Sequence, residues 1–181
     1  MLGKIQIYTG EGKGKTTAAM GLALRAAGAG FRVAFIQFDK CYSNMEHYAE
    51  RNSLRLIPNI DLYPTGCERI QKDGKFRFGV LPEDRAEAER ALGIIRKVIT
   101  EGQYQVVILD EINVALHIGL VTMDEVMGII ALHEARPVFE LLLTGRYAKP
   151  EVMEKADLVT EMTKVKHYFD KGLIARRGIE F

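Results

Sequence analysis

The sequence predicts an α/β fold: one domain over residues 1–181, with a mostly parallel sheet flanked by helices. Three observations predict it. Two strand-like runs, Ile5–Tyr8 and Val33–Phe38, bracket a helical segment and make a βαβ unit. The runs Val106–Leu109 and Val138–Leu143 are almost continuously apolar, as strands covered on both faces must be. Between these pairs, Ala88, Ala91, Leu92, Ile95, Val98 and Ile99 recur at helical spacing.

Taken in order, Ile5–Tyr8 is the first strand and Thr9–Lys15 a glycine-rich turn. Thr16 to about Ala27 reads as a helix whose small residues, Ala18, Ala19, Gly21, Ala23, Ala26 and Ala27, let it lie close on a sheet. Gly28-Ala29-Gly30 stops it, and Val33–Phe38 follows as a strand parallel to the first. Leu54–Ile57 and Ile60–Tyr63 read as short strands, with a short helix around Glu46. Pro82-Glu83-Asp84 opens a helix that Gly102 closes, since proline and acids suit a first turn. Further along come a helix near Met123–Leu132, the strand Val138–Leu143, a short helix Pro150–Lys155 and a strand starting at Leu158. The tail from Lys164 to Phe181 has no strong period.

The whole-chain properties narrow the function classes. A formal charge of +1 gives no global pull towards nucleic acid, so no nucleic-acid partner is expected. No apolar run approaches the roughly 20 residues of a membrane span, and Met1–Lys4 lacks a leader pattern. A cytoplasmic protein is expected. Cys41 and Cys67 read as free thiols. The histidines His47, His117, His133 and His167 form no zinc-ligand spacing, and His117 and His133 read as ordinary core or surface residues.

The segment Thr9-Gly10-Glu11-Gly12-Lys13-Gly14-Lys15-Thr16-Thr17 joins a strand to a helix, the setting of a P-loop. Its glycines let backbone N–H groups approach phosphate oxygens, and the helix start adds partial positive charge. Lys15 supplies an ammonium for the phosphates, and Thr16 a hydroxyl for Mg²⁺. The spacing departs from G-x-x-x-x-G-K-[ST]: Thr9 stands at the first glycine's position, so the loop is one residue short. A triphosphate held differently from that of an ordinary ATPase is expected. Asp110-Glu111 ends an apolar strand, on the edge where open α/β sheets bind ligands. Alternation along a strand lets only one of the two acids reach a metal, and the residues alone do not say which. Gln37 and Arg146 fall at the same edge. The run from Val165 to Gly172 mixes basic, aromatic and acidic groups that suit either a planar ligand or an amphipathic edge.

Together these pieces resemble the P-loop type of ATP:corrinoid adenosyltransferase. The resemblance spans nearly the whole chain. It rests on Thr9–Ala19, Arg25-Ala26, Gln37-Phe38, Thr65-Gly66, Val107–Glu111, Leu143–Arg146, Ala156-Asp157, Val165–His167, Phe169-Asp170 with Gly172, and Gly178–Phe181. It implies a RecA-like P-loop NTPase fold, a homodimer, and ATP lying in the reverse sense along the loop. It implies Mg²⁺ held by Thr16 and Glu111, which resolves the choice between the acids. Arg25 is expected near the triphosphate, and His167 near the nucleotide. The corrinoid is a substrate here, reduced to Co(I) by an electron donor such as a flavoprotein. Co(I) would attack the ribose 5′ carbon, and Lys13, Lys15 and the loop N–H groups would hold the leaving triphosphate. One departure stands out: the family's aromatics after the Thr-Gly pair are replaced by Cys67-Glu68-Arg69. Tyr63, Phe76 or Phe78 are the candidates to serve instead. A small-molecule kinase or ATPase with a variant P-loop is the alternative, and a non-catalytic nucleotide-gated module a further one. The first would release ADP.

Overall fold

The computed structural model describes residues 3–40, 48–69 and 77–181. The expected helix around Glu46, and Cys41, His47 and Phe76, lie outside them. Six strands form one sheet: β1 (Ile5–Thr9), β2 (Val33–Gln37), β3 (Ile60–Pro64), β4 (Val106–Asp110), β5 (Glu140–Thr144) and β6 (Leu158–Glu161). Their order is β3-β2-β4-β5-β1-β6, and every neighbouring pair is parallel. The helices are α1 (Lys15–Gly28), α2 (Glu50–Leu54), α3 (Pro82–Glu101), α4 (Ile112–His117), α5 (Met123–Ala135) and α6 (Pro150–Met153).

Strand alternation sorts the core into two layers. Val33, Phe35, Val106, Ile108 and Leu142 face α1 through Ala19, Ala23, Ala26 and Ala27. Ile7, Ile36, Val107, Leu109, Leu141 and Leu143 face the other way, onto Leu92 and Ile95 of α3 and Val126, Ile129 and Ile130 of α5. The alanine stripe of α1 therefore does what its small side chains suggest. Gly102 ends α3 in the left-handed conformation, at φ 65.

Two expectations need correction, and one element is additional. β1 and β2 share the sheet and its direction, but they are not partners, because β4 and β5 lie between them. The apolar runs of those two strands suit the interior of the sheet, which buries both of their faces. Leu54–Ile57 is not a strand; α2 ends at Leu54, and a turn carries the chain to β3. Leu54 and Leu56 alternate in sequence, but only Leu54 is buried, on the helix face it shares with Arg51, while Leu56 is 82% exposed. α4 went unforeseen, because six residues are too few to display a period.

Two carboxylates pin the α3 face. Asp84 is fully buried, takes both Arg77 Nη atoms at 2.7 Å and caps α3 through the Leu81 N–H at 2.8 Å. Glu125 takes Arg85 Nη1 at 2.9 Å and closes a capping box with Thr122. Hydrogen bonds from Arg77 and Arg85 respectively hold each acid down to about 2. A depressed carboxylate stabilises the fold above its unfolded pKa, about 4, and loses that contribution as pH falls through its folded value. Urea midpoints should therefore drop between pH 4 and pH 2, and Asp84→Asn should flatten the drop. A parallel decline in wild type and variant would contradict this.

Candidate functional site

The glycine-rich turn leaves β1 at its C-terminal end and runs into α1. Gly10 and Gly14 sit at φ 95 and φ 119, where a side chain would be strained. The loop is backed by the residue after β6: the Gly12 N–H donates to the Met162 carbonyl at 2.6 Å, and Met162 N–H donates to Thr9 at 2.9 Å. A Cβ on Gly12 would come within 2.6 Å of that carbonyl. Glycine at this position thus serves a close chain crossing, and its N–H is already committed.

Lys15 is 7% exposed, and its ammonium donates to the Gly10 and Gly12 carbonyls, both at 2.7 Å. Burial lowers its pKa, and the Arg146 charge lowers it further. Beside it lies a cavity of about 320 Å³, lined by Lys13–Thr17, Glu111, Arg146 and His167. Lys13 reaches across to the C-terminal segment, donating to Tyr168 Oη at 3.0 Å, to the Ile179 carbonyl at 2.9 Å and to Glu180 Oε1 at 2.6 Å. The bonds to Glu180 and then Tyr168 raise its pKa. His167 caps a 3₁₀ turn (Tyr168–Lys171), its Nδ1 accepting from the Phe169 N–H at 3.1 Å.

A second cavity, about 620 Å³, adjoins Thr16, Thr17, Lys40, Tyr48, Glu111 and Ile179. At its floor the acidic pair converges. Alternation should send the two acids to opposite faces, but Glu111 lies past the strand in a left-handed conformation, φ 65, that opens α4. Asp110 is wholly buried and accepts from Thr144 Oγ1 at 2.7 Å and Thr16 Oγ1 at 3.0 Å. Lys40 donates to Asp110 Oδ2 at 2.6 Å and to Thr16 Oγ1 at 3.1 Å, and lies 3.9 Å from Glu111 Oε1. Burial works against the Lys40 ammonium, but Asp110 and Glu111 outweigh it and raise its pKa. Glu111 is shifted upward, chiefly by burial.

The structure thus gathers Gly12, Lys13, Gly14, Lys15, Thr16, Thr17, Glu111, Arg146 and His167 around one cavity. Gly10 holds Lys15 from behind, and Glu11 is exposed, paired with Arg146 at 3.2 Å. Arg25 is not brought in: it is exposed in the last turn of α1, about 15 Å along the helix from Lys15. Gln37 is fully buried and accepts from Arg51 Nε at 2.8 Å, away from both cavities. Tyr63 packs on the core and its hydroxyl meets that of Tyr104 at 2.8 Å, so the core takes it up. Phe78 stands 84% exposed. His133 is buried against Phe139, and His117 stacks on Tyr147 at 4.2 Å. Cys67 is a free thiol. Sequence reasoning missed Lys40, Thr144 and Met162. Lys40 alone carried a signal, a cation just beyond the end of a central strand.

A glycine cradle between a parallel strand and a helix, with a lysine and a threonine at the helix start and acids at the end of β4, one strand beyond β5, defines a P-loop nucleotide-binding protein. The model of the family "ATP:corrinoid adenosyltransferase BtuR/CobO/CobP" matches residues 2–181. This chain belongs to that family. It is 34% identical over 180 residues to the corrinoid adenosyltransferase of Pseudomonas aeruginosa, covering 99% of this chain and 84% of the relative. A corrinoid adenosyltransferase of a Sinorhizobium species is 35% identical over 181 residues, covering 99% and 80%. That of Salmonella typhimurium is 33% identical over 187 residues, covering 99% and 86%.

Proposed function

We propose that this enzyme transfers the 5′-deoxyadenosyl group of ATP to the Co(I) centre of a corrinoid and releases inorganic triphosphate. The observation that carries this reading is the short lysine-braced loop, open to a cavity that continues into a second and larger one. The first suits the triphosphate, and the larger leaves room beside it for the nucleoside and the metal-bearing ring. In the transfer, Co(I) donates an electron pair to C5′ and the C5′–O bond breaks. The triphosphate departs with that bond's electrons. No proton leaves the nucleophile, so no general base is required.

The side chains must align the reactants and receive the departing charge. Lys15 and Lys13 are placed for the second task once they exchange their present oxygen partners for phosphate. Arg146 and His167 flank the same cavity. Thr16 and Glu111 would hold Mg²⁺, a reading supported by the Lys40 ammonium lying near the same oxygens. When bound, Mg²⁺ supplies charge neutralisation to the triphosphate.

The cycle needs an outside reductant, such as a flavoprotein, because cobalt reaches Co(I) only by reduction. A homodimer is supported by the edge strand β6, with Leu158 and Val159 44% and 43% exposed, and by Ile174 at 75%. A cytoplasmic location agrees with the use of ATP; among the described residues no helix is long and apolar enough to cross a membrane.

The test is to incubate the protein with ATP, Mg²⁺ and chemically reduced cobalamin. A light-sensitive cobalt–carbon product and stoichiometric triphosphate are expected. ADP and orthophosphate without alkylated corrinoid would instead favour a kinase or ATPase.

A further inference from the structure

Lys40 is absent from the roles assigned above, yet it occupies the most anionic point of the site. Its ammonium lies 2.6 Å from Asp110 Oδ2, 3.1 Å from Thr16 Oγ1 and 3.9 Å from Glu111 Oε1. Thr16 and Glu111 are the residues proposed to hold the divalent cation. An ammonium and a divalent ion cannot share those oxygens, since like charges at such separations repel strongly where water is scarce.

The lysine is anchored at its backbone, and its side chain borders open space. Its N–H donates to the Thr65 carbonyl at 3.0 Å, and the Arg51 guanidinium holds its carbonyl. Its flexible four-carbon stem lies along the larger cavity, with 13% of the side chain exposed. The ammonium therefore has somewhere to go without any movement of β2.

Resting on the reading of Thr16 and Glu111 as metal ligands, we propose that Lys40 is a resident counter-ion. It holds the divalent-cation position in the nucleotide-free protein and yields it only when a polyphosphate offers the ammonium new oxygens. Metal then loads together with nucleotide and not before it. The charge logic is direct. Lys40 cancels one of the two negative charges of Asp110 and Glu111, so it weakens their pull on a bare divalent ion, which would also sit beside an existing cation. A triphosphate brings enough negative charge to draw Lys40 away and admit the metal.

The experiment measures Mn²⁺ retained by the protein in equilibrium dialysis, with and without inorganic tripolyphosphate. Wild type is compared with Lys40→Met, Lys40→Gln and Glu111→Gln. The glutamine variant at 40 keeps a donor for Asp110 and removes only the charge. Thermal melts verify that each variant is folded. Wild type should retain Mn²⁺ well only with tripolyphosphate. Both Lys40 variants should bind Mn²⁺ alone at least about tenfold more tightly than wild type, a modest response to losing a unit charge within about 4 Å. Glu111→Gln should lose the Mn²⁺ retained with tripolyphosphate.

If Glu111→Gln loses Mn²⁺ but folded Lys40 variants gain none, the counter-ion role is overturned and the metal reading stands. If Glu111→Gln retains as much as wild type, the metal reading falls and the Lys40 role falls with it. Wild type that binds Mn²⁺ equally well without tripolyphosphate also overturns the proposal, even if neither Lys40 variant folds.

Discussion

Lys15→Ala should reduce adenosyl transfer at least about a thousandfold, measured as turnover of reduced cobalamin at saturating ATP. Two losses combine in that variant. The Lys15 ammonium braces the loop by filling the Gly10 and Gly12 carbonyls at 2.7 Å, and without it those oxygens lose that partner. The same ammonium sits where the leaving triphosphate gathers charge, in a site that screens it poorly because the side chain is 7% exposed. Removing one such donor typically costs a hundred- to a thousandfold, and a full charge more than a neutral donor. Lys15→Arg should recover little, because a planar fork cannot reach both carbonyls as a point charge does. Near-normal turnover by Lys15→Ala would remove the loop from the mechanism.

Asp110→Ala should lower the free energy of unfolding by about 3–5 kcal/mol, read from urea denaturation. Asp110 joins three elements: α1 through Thr16, the chain after β2 through Lys40, and the end of β5 through Thr144. Its carboxylate is wholly buried. Truncation leaves two hydroxyls and an ammonium around an empty volume, with Glu111 alone to balance the charge at 3.9 Å. Unpaired charge in a buried site is the costly half of such a deletion. Asp110→Asn fills the space and keeps an acceptor, so it should recover part of the loss. A cost below about 1 kcal/mol would mean that water replaces the carboxylate easily and that the ends of β4 and β5 are held by other contacts.

These two residues show how unevenly the site could be read. Lys15 stands in a contiguous motif whose residues act within one turn of chain, so its role follows from neighbours in sequence. Asp110 drew notice for ending an apolar strand, but its partners come from residues 16, 40 and 144. No local pattern announces such a meeting. Glu111 is intermediate: the family resemblance singled it out, while its approach to Lys40 depends on a left-handed turn that strand periodicity does not anticipate. Arg25 illustrates the other direction: close to the loop in sequence, it sits in the last turn of α1 and lines neither cavity.

By itself the sequence determined the α/β class, the phosphate loop, the main helices and the family, because each is written in periodicity or in residues a few positions apart. Only the tertiary structure decided that β4 and β5 separate β1 from β2, that Met162 backs the loop, that Lys13 meets the C-terminal segment, and that Lys40 lies between the acids. The physical reason is range. Propensity and hydrophobic period act along the chain, whereas strand order and buried charge pairing are settled by which distant segments can share one core and one set of oxygens.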